Sequence, residues 1–98
     1  MTVLNQLTFE GSNSPINTFT SDILYGGNIM YLSISLLCDA NITLAIIWSF
    51  SDVTLFTETY NIIVNIFFNQ FINIKATNFQ VIINGLLGSN YTLQTFYH

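Results

Sequence analysis

Positive charge is almost missing from this chain: Lys75 is its single lysine and it has no arginine. Proteins that bind nucleic acid neutralise phosphates with several Lys or Arg side chains, so that class of function is excluded. Charge of either sign is scarce, at 6% of 98 residues with a net charge of −4, against roughly 25% charged in ordinary soluble domains. Asn, Thr, Ser and Gln supply the polar surface instead. Histidine occurs once, as the terminal His98, and the five acids Glu10, Asp22, Asp39, Asp52 and Glu58 stand far apart. General acid or base chemistry needs a titratable group with a positioned partner in a protected pocket. No such pairing can be read here, so a non-enzymatic protein without a cofactor is expected. Calcium takes about six to eight converging oxygen ligands, which Asp39 and Asn41 alone do not supply. No metal is expected, and Asp39 and Asp52 read as turn formers whose carboxylates accept backbone amides.

Cysteine appears once, which forbids an internal disulfide. Cys38 is in phase with Met30, Leu32, Ile34 and Leu36 and reads as a small apolar core residue, with no basic neighbour in sequence to activate the thiol. Long apolar runs are missing too, although 51% of the residues are hydrophobic. A membrane-spanning helix needs about 18 or more consecutive apolar residues, and the nearest candidate, residues 29–50, is broken by Ser33, Ser35, Asp39, Asn41 and Thr43. A membrane barrel needs at least about eight strands of ~9–11 residues each plus turns, more than the chain comfortably holds. No membrane span is expected. Nor is a secretory signal, because no basic stretch precedes an apolar one at the N-terminus. The glycosylation patterns at Asn41-Ile42-Thr43 and Asn90-Tyr91-Thr92 are therefore expected to go unused.

What is present is period-two alternation. In residues 41–50 (Asn-Ile-Thr-Leu-Ala-Ile-Ile-Trp-Ser-Phe), Ile42, Leu44, Ile46, Trp48 and Phe50 fall at alternate positions. A strand sends them all to one face, so this stretch predicts a central core strand with Trp48 inside. Residues 29–37 alternate in the same way, and the four-residue link 38–41 predicts that the two strands are hairpin neighbours. A weak strand is expected near residues 3–9. An extended segment follows over 16–24 with Phe19 and Ile23 as core contacts, then an edge-like piece over 54–58. A single strand is predicted over 60–68, with Tyr60, Ile62, Val64, Ile66 and Phe68 on one stripe, and a break over 69–73. Residues 78–84 form a strand with Phe79, Val81 and Ile83 inward, and residues 91–97 the last strand. With no helical period, this predicts one all-β domain over residues 1–98, an antiparallel β-sandwich or jelly roll of seven to eight strands.

Several pieces, taken in order, carry a resemblance. They are Thr20-Ser21-Asp22-Ile23-Leu24, Leu32-Ser33-Ile34-Ser35, Asp39 followed by Thr43-Leu44-Ala45-Ile46-Ile47-Trp48-Ser49, and Ser51-Asp52. Ile74-Lys75-Ala76-Thr77-Asn78-Phe79-Gln80-Val81 and the final Tyr91-Thr92-Leu93-Gln94-Thr95-Phe96-Tyr97 complete the set. Together they resemble a small β-sandwich module, a discoidin-like jelly roll, of structural proteins of tailed phages and giant DNA viruses, over about residues 19–98. Val53 replaces the usual Gly after the Ser-Asp turn, Phe79 replaces a basic residue, and Gln80 replaces an Arg. These departures argue against a ligand site on those loops. The resemblance implies a virion component, such as a minor capsid, cement, spike or fibre protein, or a tail attachment module. Its partners would be copies of itself or larger capsid or tail proteins.

Two candidate surfaces follow. Ile47, Ile63, Phe67, Ile82 and Phe96 lie opposite the core stripes of their expected strands, where a monomeric sandwich would show polar groups, and they read as an apolar interface. Tyr25, beside Gly26-Gly27-Asn28, is the best exposed aromatic for stacking on a sugar, with Asn28 as a polar contact. This supports the alternative function of a carbohydrate-binding module for host attachment. Exposed aromatics gathered on loops around a concavity would favour the glycan; aromatics spread over a flat face would favour assembly.

Overall fold

The computed structural model describes residues 6–25, 31–51 and 53–97, with the side chains of Gln6, Leu7, Phe96 and Tyr97 left aside. The elements are β1 (Gln6–Gly11), β2 (Thr18–Thr20), β3 (Leu24–Tyr25), β4 (Tyr31–Cys38), β5 (Ile42–Phe50), β6 (Val53–Ile62), β7 (Phe68–Asn73), β8 (Asn78–Asn84) and β9 (Tyr91–Tyr97). No helix occurs among the described residues. One sheet has the order β1-β9-β4-β7 and the other β2-β8-β5-β6, with β3 also on β8. Every pairing is antiparallel. The protein is an all-β structure of two antiparallel sheets, as the alternation predicts.

The core is where the alternating stripes meet. Leu32, Ile34, Leu36 and Cys38 of β4 and Leu93 of β9 come from one sheet; Ile42, Leu44, Ile46 and Trp48 of β5 and Phe79, Val81 and Ile83 of β8 come from the other, all buried. Each such side chain contributes about 1.5–3 kcal/mol by leaving water. Aromatic pairs reach between the sheets at both sides. Phe9 of β1 stands 4.7 Å from Phe19 of β2, and Tyr60 of β6 stands 5.4 Å from Phe68 of β7, centroid to centroid.

The predicted β4–β5 hairpin does not form. β4 pairs with β7 and β9, and β5 with β6 and β8, so residues 39–41 cross from one sheet to the other. The cause is the matching stripes: as neighbours in one sheet they would line a single uncovered face, whereas in opposite sheets they cover each other. Among the described residues, the one hairpin between long strands is β5–β6. Ser51 follows β5 at φ 55°, and the ladder is interrupted by a bulge opposite Trp48 and Ser49.

Other expectations are corrected as well. The strand predicted over 60–68 ends at Ile62, because Asn65 takes a left-handed φ of 58° and donates its amide to the Cys38 carbonyl at 2.9 Å. Asn tolerates that conformation far better than β-branched residues do. The Asn- and Gln-rich break at 69–73 is instead most of β7, and the edge-like piece at 54–58 belongs to the ten-residue β6. The extended segment 16–24 resolves into β2 and β3. Phe19 does pack on the core, but Ile23 is 64% exposed. Phe50 is 60% exposed at the tip of the β5–β6 hairpin, beyond the covered part of the inner face. The described residues form nine strands, against the expected seven to eight. Met30 and the part of the first predicted strand before residue 6 lie outside the described residues.

Candidate functional site

Four connections share one end of the sandwich: residues 12–17, 39–41, 63–67 and 85–90. Backbone bonds join them, with Ser14 N to Ser89 O, Gly88 N to Ser14 O, and Gly85 N and Leu86 N to Asn17 O, each at 2.9 Å. Gly85 and Gly88 take φ of 95° and 76°, which suits residues without a Cβ. Asp39 accepts a backbone amide as expected, but from a distant loop rather than from its own turn. Its Oδ1 accepts the Asn90 amide at 2.8 Å and its Oδ2 the Asn90 side-chain amide at 2.9 Å. Asn41 Oδ1 accepts the Val64 amide at 2.8 Å. The asparagines of both glycosylation patterns thus bond across between loops. An open depression of about 600 Å³ lies beside these loops, bounded by Glu10, Asp39, Asn65, Asn90 and Tyr91 among others. Tyr91 is buried there, its ring lying so close to Gly11 that a Cβ at that position would collide with it.

On this braced end Ile16, Ile63, Val64, Ile66, Phe67 and Leu87 are all exposed. The opposite end carries the β5–β6 hairpin, where Phe50, Val53, Leu55 and Phe56 are exposed. Large exposed apolar patches mark interaction surfaces on otherwise soluble folds.

Between these regions lies a polar cluster on the inner face of β6. Glu58 Oε1 accepts hydrogen bonds from Trp48 Nε1 at 2.6 Å and from Lys75 Nζ at 2.5 Å, and Oε2 accepts from Tyr60 OH at 3.0 Å. The Lys75 ammonium also stands 5.8 Å from the Trp48 ring centroid. Burial acts to raise the Glu58 pKa, but the hydrogen bonds from Lys75, Trp48 and Tyr60 and the charge of Lys75 outweigh it and hold the carboxyl below its ordinary value. Burial, then the hydrogen bond and charge of Glu58, raise the Tyr60 phenol. The cluster satisfies the indole of a core tryptophan at the side of the sandwich. Sequence reasoning missed it; the available signal was an acid two positions before Tyr60, in the same inward phase, in a chain with one cation.

The expected interface residues do not lie on one face. Ile47 of β5 and Ile82 of β8 are half-buried on the outer surface of one sheet, whereas exposed Ile63 and Phe67 sit on the 63–67 turn at the loop end. The side chain of Phe96 is outside the described residues, though its backbone pairs with Ser33 in the other sheet. Tyr25 is 62% exposed on β3; Asn28 lies outside the described residues. Among the described residues, no aromatic side chain lines the depressions at residues 41–43, 61–63 and 84–85 and around Ile23, Ile47 and Gln80. Cys38 and Trp48 are buried as expected. Among the described residues no group of three or more His, Cys, Asp or Glu is placed to hold a metal, and no helix is long and apolar enough to cross a membrane.

Compared with models of known protein families the chain matches none, and no characterised protein shows significant sequence similarity to it.

Proposed function

We propose that this protein is a non-enzymatic structural component of a virus particle, of minor capsid, cement, spike or fibre type, located in the virion and held there by apolar contacts with its own copies or with larger capsid or tail proteins. The observation that carries the reading is the braced loop end with its exposed Ile63, Val64, Ile66 and Phe67. Loops tied together by main-chain bonds lose little further entropy when they dock, so their apolar side chains are effective contacts.

The strand order supports a jelly-roll version of the sandwich. β2 and β3 both pair with β8 and count as one interrupted strand. With that single strand, the sheets run first-eighth-third-sixth and second-seventh-fourth-fifth, the order of two Greek keys wrapped across two sheets. Capsid and lectin domains both use that architecture. The glycan reading is weaker here, because exposed Tyr25, Tyr31, Phe50, Phe56, Phe67 and Phe71 are spread over the surface rather than gathered around a concavity.

Quantitative mass spectrometry of purified particles of the encoding virus tests the proposal. A fixed ratio to the major capsid protein through successive purification steps is expected. Loss of the protein from the particles, together with retention on a glycan array, would favour host attachment.

A further inference from the structure

The exposed edges of the two sheets are not equivalent. β1 and β7 have six residues each and β2 three, whereas β6 has ten and, among the described residues, ends its sheet paired only to β5. An open strand edge is a template for another strand, and natural proteins guard it with lysine, proline, bulges or inward-pointing charge. β6 contains no lysine or proline. Its inward charge, Glu58, is already met by Lys75. Its bulge is confined to the hairpin side, which leaves residues 56–62 in regular register.

We propose that the β6 edge joins two copies of this chain, antiparallel about a two-fold axis at Thr59, so that one sheet continues from copy to copy. This deepens the assembly reading above and rests on it. Thr59 is the midpoint of the regular stretch, so a two-fold there pairs all of residues 56–62. Thr59 then faces Thr59, Thr57 faces Asn61, and the Glu58 carboxylate faces Tyr60, whose hydroxyl it already accepts within one copy. Centring on Glu58 instead would set like charges opposite one another, which is unfavourable. Centring on Thr57 would draw the bulge into the paired run. The Thr59 register also brings Leu55, 53% exposed, near Ile63, 55% exposed, at both ends of the ribbon. The outward-facing Thr57, Thr59 and Asn61 are exposed, and β-branched residues suit cross-strand pairing.

Cysteine cross-linking reads the register directly, since the native Cys38 is buried. Under mild oxidation Thr59→Cys is expected to give a covalent dimer on a non-reducing gel, because the two Cα atoms would face each other within the roughly 4.4–6.8 Å that a disulfide needs. Thr57→Cys is expected to stay uncross-linked, four residues or about 13 Å out of step with its copy. Thr59→Lys sets two ammonium groups opposite and is expected to raise the concentration at which the dimer forms by about tenfold. An oligomer that neither cross-links through Thr59→Cys nor responds to Thr59→Lys would overturn the β6 edge while leaving the assembly reading in place. Preferential cross-linking through Thr57→Cys would overturn the register. A monomer at every concentration would overturn both readings.

Discussion

Glu58 gathers the only lysine of the chain, the only tryptophan and a tyrosine at one carboxylate. Charge-assisted hydrogen bonds are among the stronger contributions to stability, so Glu58→Gln is expected to cost about 1–2 kcal/mol in urea denaturation. Lys75 is more exposed, and its removal is expected to cost only about 0.5 kcal/mol. The folded carboxyl has a pKa below its ordinary value of 4.5. Its stabilisation is therefore complete above that value and is lost as pH falls through the folded pKa. The wild-type midpoint should fall on acidification below about 4.5, and the Glu58→Gln midpoint should fall less; equal slopes would contradict this role. Thr95 is the reverse case. It is 2% exposed, yet its hydroxyl has no hydrogen-bond partner among the described residues. Replacing it with the isosteric Val removes an unsatisfied buried group and is expected to stabilise the protein by about 1 kcal/mol at unchanged denaturant slope; destabilisation would mean that the hydroxyl has a partner. Trp48 as a core residue was legible from its phase in the stripe. Its hydrogen-bonding partner was not, because period two places Glu58 on a face without saying which strand of the sheet lies beside it.

Among the elements, alternation identified β4, β5, β8 and β9 as strands, and the inward residues Leu32, Ile34 and Leu36, Ile42 to Trp48 at alternate positions, and Phe79, Val81 and Ile83, but not the exposed Phe50. It failed where a strand stops and where the chain changes sheet. Residues 60–68 continue the pattern without a glycine or proline, and what ends β6 is Asn65 in a left-handed conformation, held by a carbonyl that is distant in sequence. A four-residue link between two stripes fits a hairpin and a crossing equally well; burial of both stripes decides for the crossing. The segment around β2 gives a sharper test, because Phe19 and Ile23 both read as core contacts from the sequence. Phe19→Ala is expected to cost about 3 kcal/mol, through loss of the ring packed on Phe9. Ile23→Ala, at an exposed position, should stay within about 0.5 kcal/mol. Equal costs would place Ile23 in the core after all.

For the molecule as a whole, the fold class was legible because it follows from burial, and burial leaves a period in the sequence. The contact surface was only partly legible. The excess of apolar residues pointed to association, but the two-face argument assumed continuous strands. Ile63 and Phe67 instead project from a turn at the loop end, and the exposed hairpin residues are ones that the sequence places elsewhere: Phe50 in the core, Val53 in a turn, Leu55 and Phe56 at an edge. In the assembly proposed above, these exposed apolar groups are covered by other protein molecules. The most direct test is static light scattering of the purified protein over a wide dilution series, with Phe67→Ser beside the wild type. The expected result is a mass above that of the 11.1 kDa chain that falls on dilution and falls sooner in the variant. A constant monomer mass for both, up to high concentration and without aggregation, would contradict it.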